Sequence, residues 1–497
     1  MNTPPAELLL RGALLPGAEA PSDVLISAGR VTAIGPAGTV RHDGAAEVRL
    51  DGRWLRPALW DEHVHFTQWV IRRGRLDLSA TASAAEVLAL VRSGAAPTGS
   101  RDTGVTVGYG FRDALWPDAP SLASLDAAAP ARPTVLISGD LHCGWLNSAA
   151  ATLLGVTVDS SGLLREAPWI EALDRLDHDT APALATYREA ARDAAGRGVV
   201  GIVDFENADN VRDWPARVAA GVTSLRVEAS VWPGRLSAAI EQGYRTGVPL
   251  DEQGLVTVGR LKIVVDGSLN TRTALCWDPY PGTDPTAPHR CGVRSVAPHE
   301  LGDLLGTADR AGIAVAVHAI GDRANSQVID AFEQLGITGV IEHAQFVAAR
   351  DFARFGRLGI VASVQPEHAM DDRDVADRYW HGRTDRAFAF RSLYDAGATL
   401  RLGSDAPVAP LDPWHAISAA VTRSRDDRRS WHPEQRLPRS VALAASARGR
   451  TRVAVGDPAD LIVLDQDPTA IPVERLRDTV VTGTLLGGRW TWNALEG

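Results

Sequence analysis

IAVAVHAIGDRANSQVIDAFEQLGITGVIEHAQFVAARDFARFGRLGIVASVQPEH, residues 313–368, is the stretch that decides how this chain folds. It holds three short runs rich in Val, Ile and Ala, at 313–321, 339–346 and 360–368, each carrying polar residues toward its end. Runs of the same kind recur at GIVDFE (201–206), SLRVEASVW (224–232), GRLKIVVDG (259–267) and ATLRLGSDAP (398–407). Between several of them lie helix-like segments, such as APALATYREAARDAAGRG (181–198) and HELGDLLGTADRAG (299–312). Strand-like runs alternating with helical ones predict parallel β/α construction. His318 and His343 are 25 residues apart, and His343 and Gln365 are 22 apart. That is close to one strand plus one helix in a barrel of eight units and about 250 residues. Each of these polar residues is then expected at the C-terminal end of its strand, facing one mouth.

The spacing also predicts what is added to the barrel. From His65 to Lys262 is 197 residues, far more than the roughly 90 that three such units need. An inserted subdomain is expected after the first barrel strand, over 74–179, within a barrel spanning 57–452. Short apolar runs broken by Gly, Pro and Asp fill residues 7–56, and the style returns in DLIVLD (460–465) and DTVVTGTLLGGRWTW (478–492). Residues 1–56 and 453–497 are therefore expected to form one small β-sandwich built from both termini. The Pro-rich segment CWDPYPGTDPTAPHRCG (276–292) is long for a plain connection and reads as a lid over the strand ends.

Composition narrows the function. The 497 residues are 45% hydrophobic and 23% charged, with a net charge of −10, an ordinary globular balance. No basic stripe outweighs the acidic excess, so nucleic acid and anionic membranes are not expected as partners, and a small molecule is. The arginines of 423–429 are interrupted by Asp426 and Asp427 and read as a solvated helix face. Cys143, Cys276 and Cys291 are too few and too far apart for a disulfide framework or a Cys-based zinc site. No run approaches 18 apolar residues and the N-terminus has no cationic leader, so a soluble, cytoplasmic protein is expected. A homodimer is the expectation from the commonest symmetry of soluble oligomers.

The sharpest local signal is Asp61-Glu62-His63-Val64-His65-Phe66 at the end of a strand-like run. Side chains alternate along a strand, so His63 and His65 share a face and can grip one metal through imidazole nitrogens. Lys262, His318, His343 and Asp405 end later runs. Imidazole and carboxylate suit a divalent metal such as zinc, whereas an ammonium does not. Of 51 basic residues Lys262 alone is a lysine, which marks a position where guanidinium fails. Apolar neighbours Leu261, Ile263, Val264 and Val265 would lower its pKa, and the neutral amine can capture carbon dioxide to give a carbamate that bridges two metals.

His63-Val64-His65, Lys262, His318, His343 and Asp405, in this order, resemble the metal-site signature of the amidohydrolase superfamily. WDEHVHF (60–66), GDLHCGWLNSAA (139–150), KIVVDGSLNTRTAL (262–275), VHAIGDRAN (317–325), IEHAQ (341–345), VQPEH (364–368) and GSDAPVAPLDPWHAI (403–417) resemble amidohydrolase family 3, the branch that includes N-substituted formamide deformylases. One departure is Pro57-Ala58, where the family usually reads Pro-Gly. The resemblance implies a distorted (β/α)₈ barrel with a β-sandwich from both chain ends. It further implies that His63, His65 and Asp405 hold one metal, that His318 and His343 hold a second, and that a carboxylated Lys262 bridges them. Members with one metal leave the count at one or two ions. Asp405 also fits the general base that activates water and delivers a proton to the leaving nitrogen.

The implied activity is hydrolysis of a non-peptide carbon–nitrogen bond in a small molecule, such as an N-formyl or N-acyl amine or a cyclic amide, by metal-activated hydroxide. Esters or lactones on the same site, and a non-catalytic metal- or small-molecule-binding protein, are the alternatives. His142, Trp145, Arg272 and Gln365 are expected to contact substrate, with Asn147 and Ser268 as weaker candidates. His368, Trp380 and His381 are placed at the rim, and Asp266 and Asp322 are read as helix caps. Trp60, Trp69, Trp116, Trp145, Trp380 and Trp414 suggest aromatic pocket walls.

Overall fold

A computed structural model describes residues 7–94, 104–179 and 182–495. Residues 1–6 and 496–497 of the expected sandwich and 95–103 of the expected insertion lie outside these. The centre is an eight-stranded parallel sheet, β1 (Leu59–Val64), β2 (Val199–Asp204), β3 (Arg226–Val231), β4 (Val256–Val264), β5 (Val315–Ala319), β6 (Val340–His343), β7 (Val361–Val364) and β8 (Thr399–Leu402), in that spatial order. Every residue of β2, β5 and β6 is buried. Helices cover these strands outside and neighbouring side chains fill them inside, which is why they read as continuous apolar runs instead of alternating ones.

The sheet closes just beyond β8. Asp405 N donates to His63 O at 2.8 Å, and His65 N donates to Ala406 O at 2.7 Å. Gly403 makes that approach possible, because a Cβ there would lie 2.8 Å from His63 N. Closure therefore places the two histidines of β1 against the aspartate after β8.

A second sheet, of Arg30–Pro36, Ser22–Ser27, Leu8–Ala13 and Ala46–Arg49, faces a third, of Arg489–Asn493, Val481–Leu486, Leu461–Leu464 and Trp54–Pro57. Leu8, Leu10, Val24 and Ile26 from one end of the chain share a core with Leu461, Val463 and Leu485 from the other. Between β1 and β2, a five-stranded sheet of Leu163–Arg165, Cys143–Leu146, Thr134–Ser138, Thr106–Phe111 and Leu76–Asp77 forms the inserted unit. Its last helix, Glu166–Asp179, extends over the barrel mouth, where Ile170, Leu173 and Asp174 border the central cavity.

The segment 276–292 does not act as the expected lid. Cys276 N donates to Cys291 O and Tyr280 N to Arg290 O, folding the loop back on itself, while Trp277 N is tied to Asp322. None of its residues borders the cavity; the inserted unit's helix takes that place. The expected aromatic walls are also absent among the described residues. Trp145, Trp380 and Trp414 are fully buried in packing, Trp60 lies under the Arg448 guanidinium, Trp69 and Trp116 pack against cores, and only Trp232 borders the cavity.

Trp145 fills the core of the inserted unit, and its Nε1 donates to Ser121 O at 3.3 Å. It does not border the cavity, and it supports the unit from within. Trp145→Ala should therefore destabilise the protein by about 3–5 kcal/mol, read by urea unfolding with a tryptophan-independent probe. A loss under about 1 kcal/mol would contradict this packing role.

Candidate metal centre

The strand ends gather around one cavity of about 130 Å³ bordered by His63, His65, His142, Lys262, His318, His343, His368 and Asp405. His63 Nε2 and His65 Nε2 lie 3.5 and 3.4 Å from the same oxygen, Asp405 Oδ1. The three ligand atoms are within 4.8 Å of one another. Two backbone devices hold this arrangement. Asp61 Oδ1 accepts from both His63 N and Ser404 N, clipping β1 to the turn after β8. Asp405 itself adopts left-handed backbone (φ 58°), which turns its carboxylate inward at a cost that other contacts must cover.

Lys262 enters from β4 and is 2% exposed. Its Nζ donates to His63 Nε2 at 3.1 Å and lies 4.2 Å from the centre of the Phe205 ring. Burial disfavours the ammonium and pushes the amine down to about 8, against the pull of Glu342 and Asp405. The same burial, reinforced by the charge of Lys262, holds His63 and His318 well below the ordinary histidine range; for His343, burial is reinforced first by His318 and then by Lys262. These imidazoles are therefore neutral, the form that binds metal.

A second cluster joins His343 and His368 to Asp405, again within 4.8 Å. His343 has left-handed backbone (φ 72°) at the end of β6, and its buried Nδ1 has no hydrogen-bond partner among the described residues. His318 packs edge-on against His343 at 4.4 Å, with Nε2 3.4 Å from Gly267 O. His368, expected at the rim, is instead buried, with Nε2 3.8 Å from Asp405 Oδ2 and Nδ1 3.3 Å from Gln345 Nε2. A lone histidine in the first turn of a helix gives no periodic signal, so sequence alone could not bring it to the centre.

Glu342 was also absent from the sequence reading. Its Oε2 shares a hydrogen bond of 2.7 Å with His63 Nδ1, which leaves Nε2 of that ring facing the cavity. Burial pushes Glu342 up to about 8. Its neighbour in IEHAQ is a candidate ligand, and a polar residue inside an all-buried strand was the available clue. Asp266, read as a helix cap, instead gathers the backbone N–H groups of Leu275, Ile320 and Gly321.

The expected substrate residues separate. His142 and Ser268 border the cavity. Arg272 does not: it sits in a tight turn with left-handed backbone (φ 59°), and its exposed guanidinium lies over Tyr379. Gln365 is buried behind His63, with Nε2 donating to Ser363 O at 3.3 Å, and is not on the cavity wall. Asn147 caps the helix Ser148–Leu154 through Ala150 N. Trp380 stacks on Phe346, and His381 is exposed.

Comparison with known proteins agrees with this geometry. The model of the amidohydrolase family matches residues 46–491. The Arabidopsis thaliana protein LONG AFTER FAR-RED 3 is 28% identical, over 92% of this chain and 83% of its own length. An N-substituted formamide deformylase from Arthrobacter pascens is 26% identical over 94% of each chain. The structure of an uncharacterized metal-dependent hydrolase from Pyrococcus horikoshii OT3 superposes with a TM-score of 0.76 at 25% identity, covering 94% of this chain and 99% of that one. An eight-stranded barrel whose mouth collects histidines, a lysine and an aspartate, together with a family match across nearly the whole chain, leads to one conclusion: this protein belongs to the amidohydrolase family of metal-dependent hydrolases.

Proposed function

We propose that the protein hydrolyses a carbon–nitrogen bond other than a peptide bond in a small amide, such as an N-formyl or N-acyl amine or a cyclic amide. The observation that carries this is the meeting of His63 Nε2, His65 Nε2 and Asp405 Oδ1 beside a buried, desolvated lysine amine. Neutral imidazole and carboxylate are the donor set of a zinc-type ion. The unpartnered Nδ1 of buried His343 supports the fit, since an orphaned buried polar atom is costly unless something binds it.

In this reading His63, His65 and Asp405 would hold one zinc-type ion, and where a second ion binds, His318 and His343, together with a carboxylated Lys262, would hold it. Bound there, the metal supplies Lewis acidity and an ionisable water near neutral pH. The chain does the rest. Glu342 keeps the Nδ1 proton of His63 occupied so that Nε2 faces inward. Asp405 has one oxygen toward His63 and His65 and the other toward His368, a placement suited to receiving a proton from water and returning it to the leaving nitrogen. Leu141, Ile170, Leu173 and Leu269 provide an apolar wall that keeps bulk water from the reacting carbonyl.

Elemental analysis of the purified protein, followed by a screen of N-formyl amines, cyclic amides, esters and lactones with and without chelator, tests the reading. Amide turnover that chelator abolishes is expected; turnover of esters or lactones alone would overturn it. Lys262→Ala should lose metal and activity together, with partial recovery in short carboxylic acids, and full activity would exclude the bridging role. Asp405→Asn should keep most of its metal while turnover falls by at least about 100-fold; near-normal turnover would remove Asp405 as the proton carrier. For Glu342→Gln, metal affinity measured by chelator competition should drop about 10- to 100-fold, and an unchanged affinity would show that the contact with His63 does not tune the site.

A further inference from the structure

We propose that the protein carries a buried anion site outside the barrel: Arg423, at the end of the helix Pro413–Thr422, binds a small monovalent inorganic anion the size of chloride. The site stands apart from the metal centre and does not depend on the reaction proposed for it.

Arg423 opens the arginine run whose interruption by acids predicts a solvated face, and for this residue the structure overturns that expectation. Arg423 is 0% exposed. It leaves the helix in left-handed backbone (φ 56°), a conformation that costs a large side chain energy. Its guanidinium lies over the rings of Phe390 and Trp431, 5.0 and 5.3 Å from their centres, and Nε donates to Trp431 O at 3.1 Å. Nη1 and Nη2 are also buried, yet neither has a hydrogen-bond partner among the described residues.

A guanidinium stays protonated inside a protein, so this buried end carries charge and N–H donors that meet no acceptor. Burial pulls it down only to about 9, which leaves it charged at neutral pH. The acidic side chains of the surrounding segments are committed elsewhere. Asp374 takes Arg428 through both oxygens at 2.7 and 2.9 Å, Asp377 accepts from Trp431 Nε1 at 3.0 Å, and Glu434 lies 2.7 Å from His432 Nδ1. A second cation adds to the imbalance. The charge of Arg373 is felt at Arg423, its Nη1 donates to a carbonyl, Arg429 O, and its buried Nε has no partner among the described residues.

Ring faces and one carbonyl serve the two faces and the Nε edge of the Arg423 guanidinium. They leave the outer edge, where Nη1 and Nη2 sit side by side, the edge with which arginine grips anions. Water could accept those hydrogen bonds but would leave the positive charge unopposed, and an unopposed buried charge is among the costliest features a protein can hold. An anion supplies the acceptor and the opposite charge together. Enclosure sets its size, since a monatomic ion demands least space around a side chain wholly out of solvent. Occupied, the site fastens the segment 423–437 to the helix Pro366–Tyr379, to which Arg428, Trp431 and the Arg429 carbonyl are already bonded. That helix carries His368 in its first turn.

The test uses the metal-loaded, full-length protein. Crystals grown with sodium bromide, with data collected at the bromine absorption edge, should show an anomalous peak within hydrogen-bonding reach of Arg423 Nη1 and Nη2. In solution at constant ionic strength, exchanging gluconate for chloride should raise Tm by about 1–3 °C for each tenfold increase in chloride above its Kd. Arg423→Met, an uncharged side chain of similar length, should abolish that response with metal content unchanged. Should Arg423→Met fold poorly, Arg373→Met keeps the donors of Arg423 but removes the second charge, and should move the response to about 10-fold higher chloride. Water alone at Nη1 and Nη2 in the bromide crystals would overturn the proposal. So would a chloride response that Arg423→Met leaves intact, or one that Arg373→Met leaves at its wild-type concentration.

Discussion

The rest of this structure depends on one electrostatic constraint: a lysine amine, several imidazoles and a carboxylate are taken out of water at the same point. Lys262 is 2% exposed with its amine against His63 Nε2, and His63, His318, His343 and His368 are all buried around it. Moving ionisable groups into a low-dielectric interior is costly, and hydrophobic packing of the same volume would stabilise the barrel better. The chain accommodates them by holding the imidazoles in their neutral form and bringing the amine down to about 8. A set of neutral imidazoles facing a carboxylate is poorly suited to stabilising the protein and well suited to binding a cation.

The fold provides the convergence. Parallel strands deliver every side chain to the same mouth, and the closing contact between β1 and the turn after β8 depends on Gly403 having no side chain. Asp61, itself pushed up to about 7 by burial, holds that junction from behind. Left-handed backbone at His343 and Asp405 stores strain where the side chains must turn inward, the usual location of such strain in proteins. The inserted unit then finishes the cavity from above, contributing His142, Leu141, Ile170 and Leu173 that the barrel does not supply.

Much of this was legible in the sequence, for reasons that can be stated residue by residue. Barrel strands buried on both faces leave continuous apolar runs, so β4 to β8 and the polar residues at their ends stood out. The excess between His65 and Lys262 pointed to the insertion because a barrel unit has a narrow length. What was hidden depended on three-dimensional contacts with no periodic trace. His368 lies in the first turn of the helix Pro366–Tyr379, and Glu342 lies beside a histidine in a run that otherwise reads as core. Arg272 misled because proximity to Lys262 along the chain says nothing about which way a tight turn sends a long side chain. The tryptophans misled because large aromatic surface is used for packing before it is used for ligands, and 276–292 misled because its length is absorbed by hydrogen bonds to itself.

The central claim is that these groups are gathered to hold metal. Diffraction from crystals of the purified protein, with anomalous data collected across the zinc absorption edge, tests it most directly. The account predicts an anomalous peak within bonding distance of His63, His65 and Asp405, with electron density extending past Lys262 Nζ. A cavity without an anomalous peak at any transition-metal edge, and a lysine ending at its amine, would contradict it.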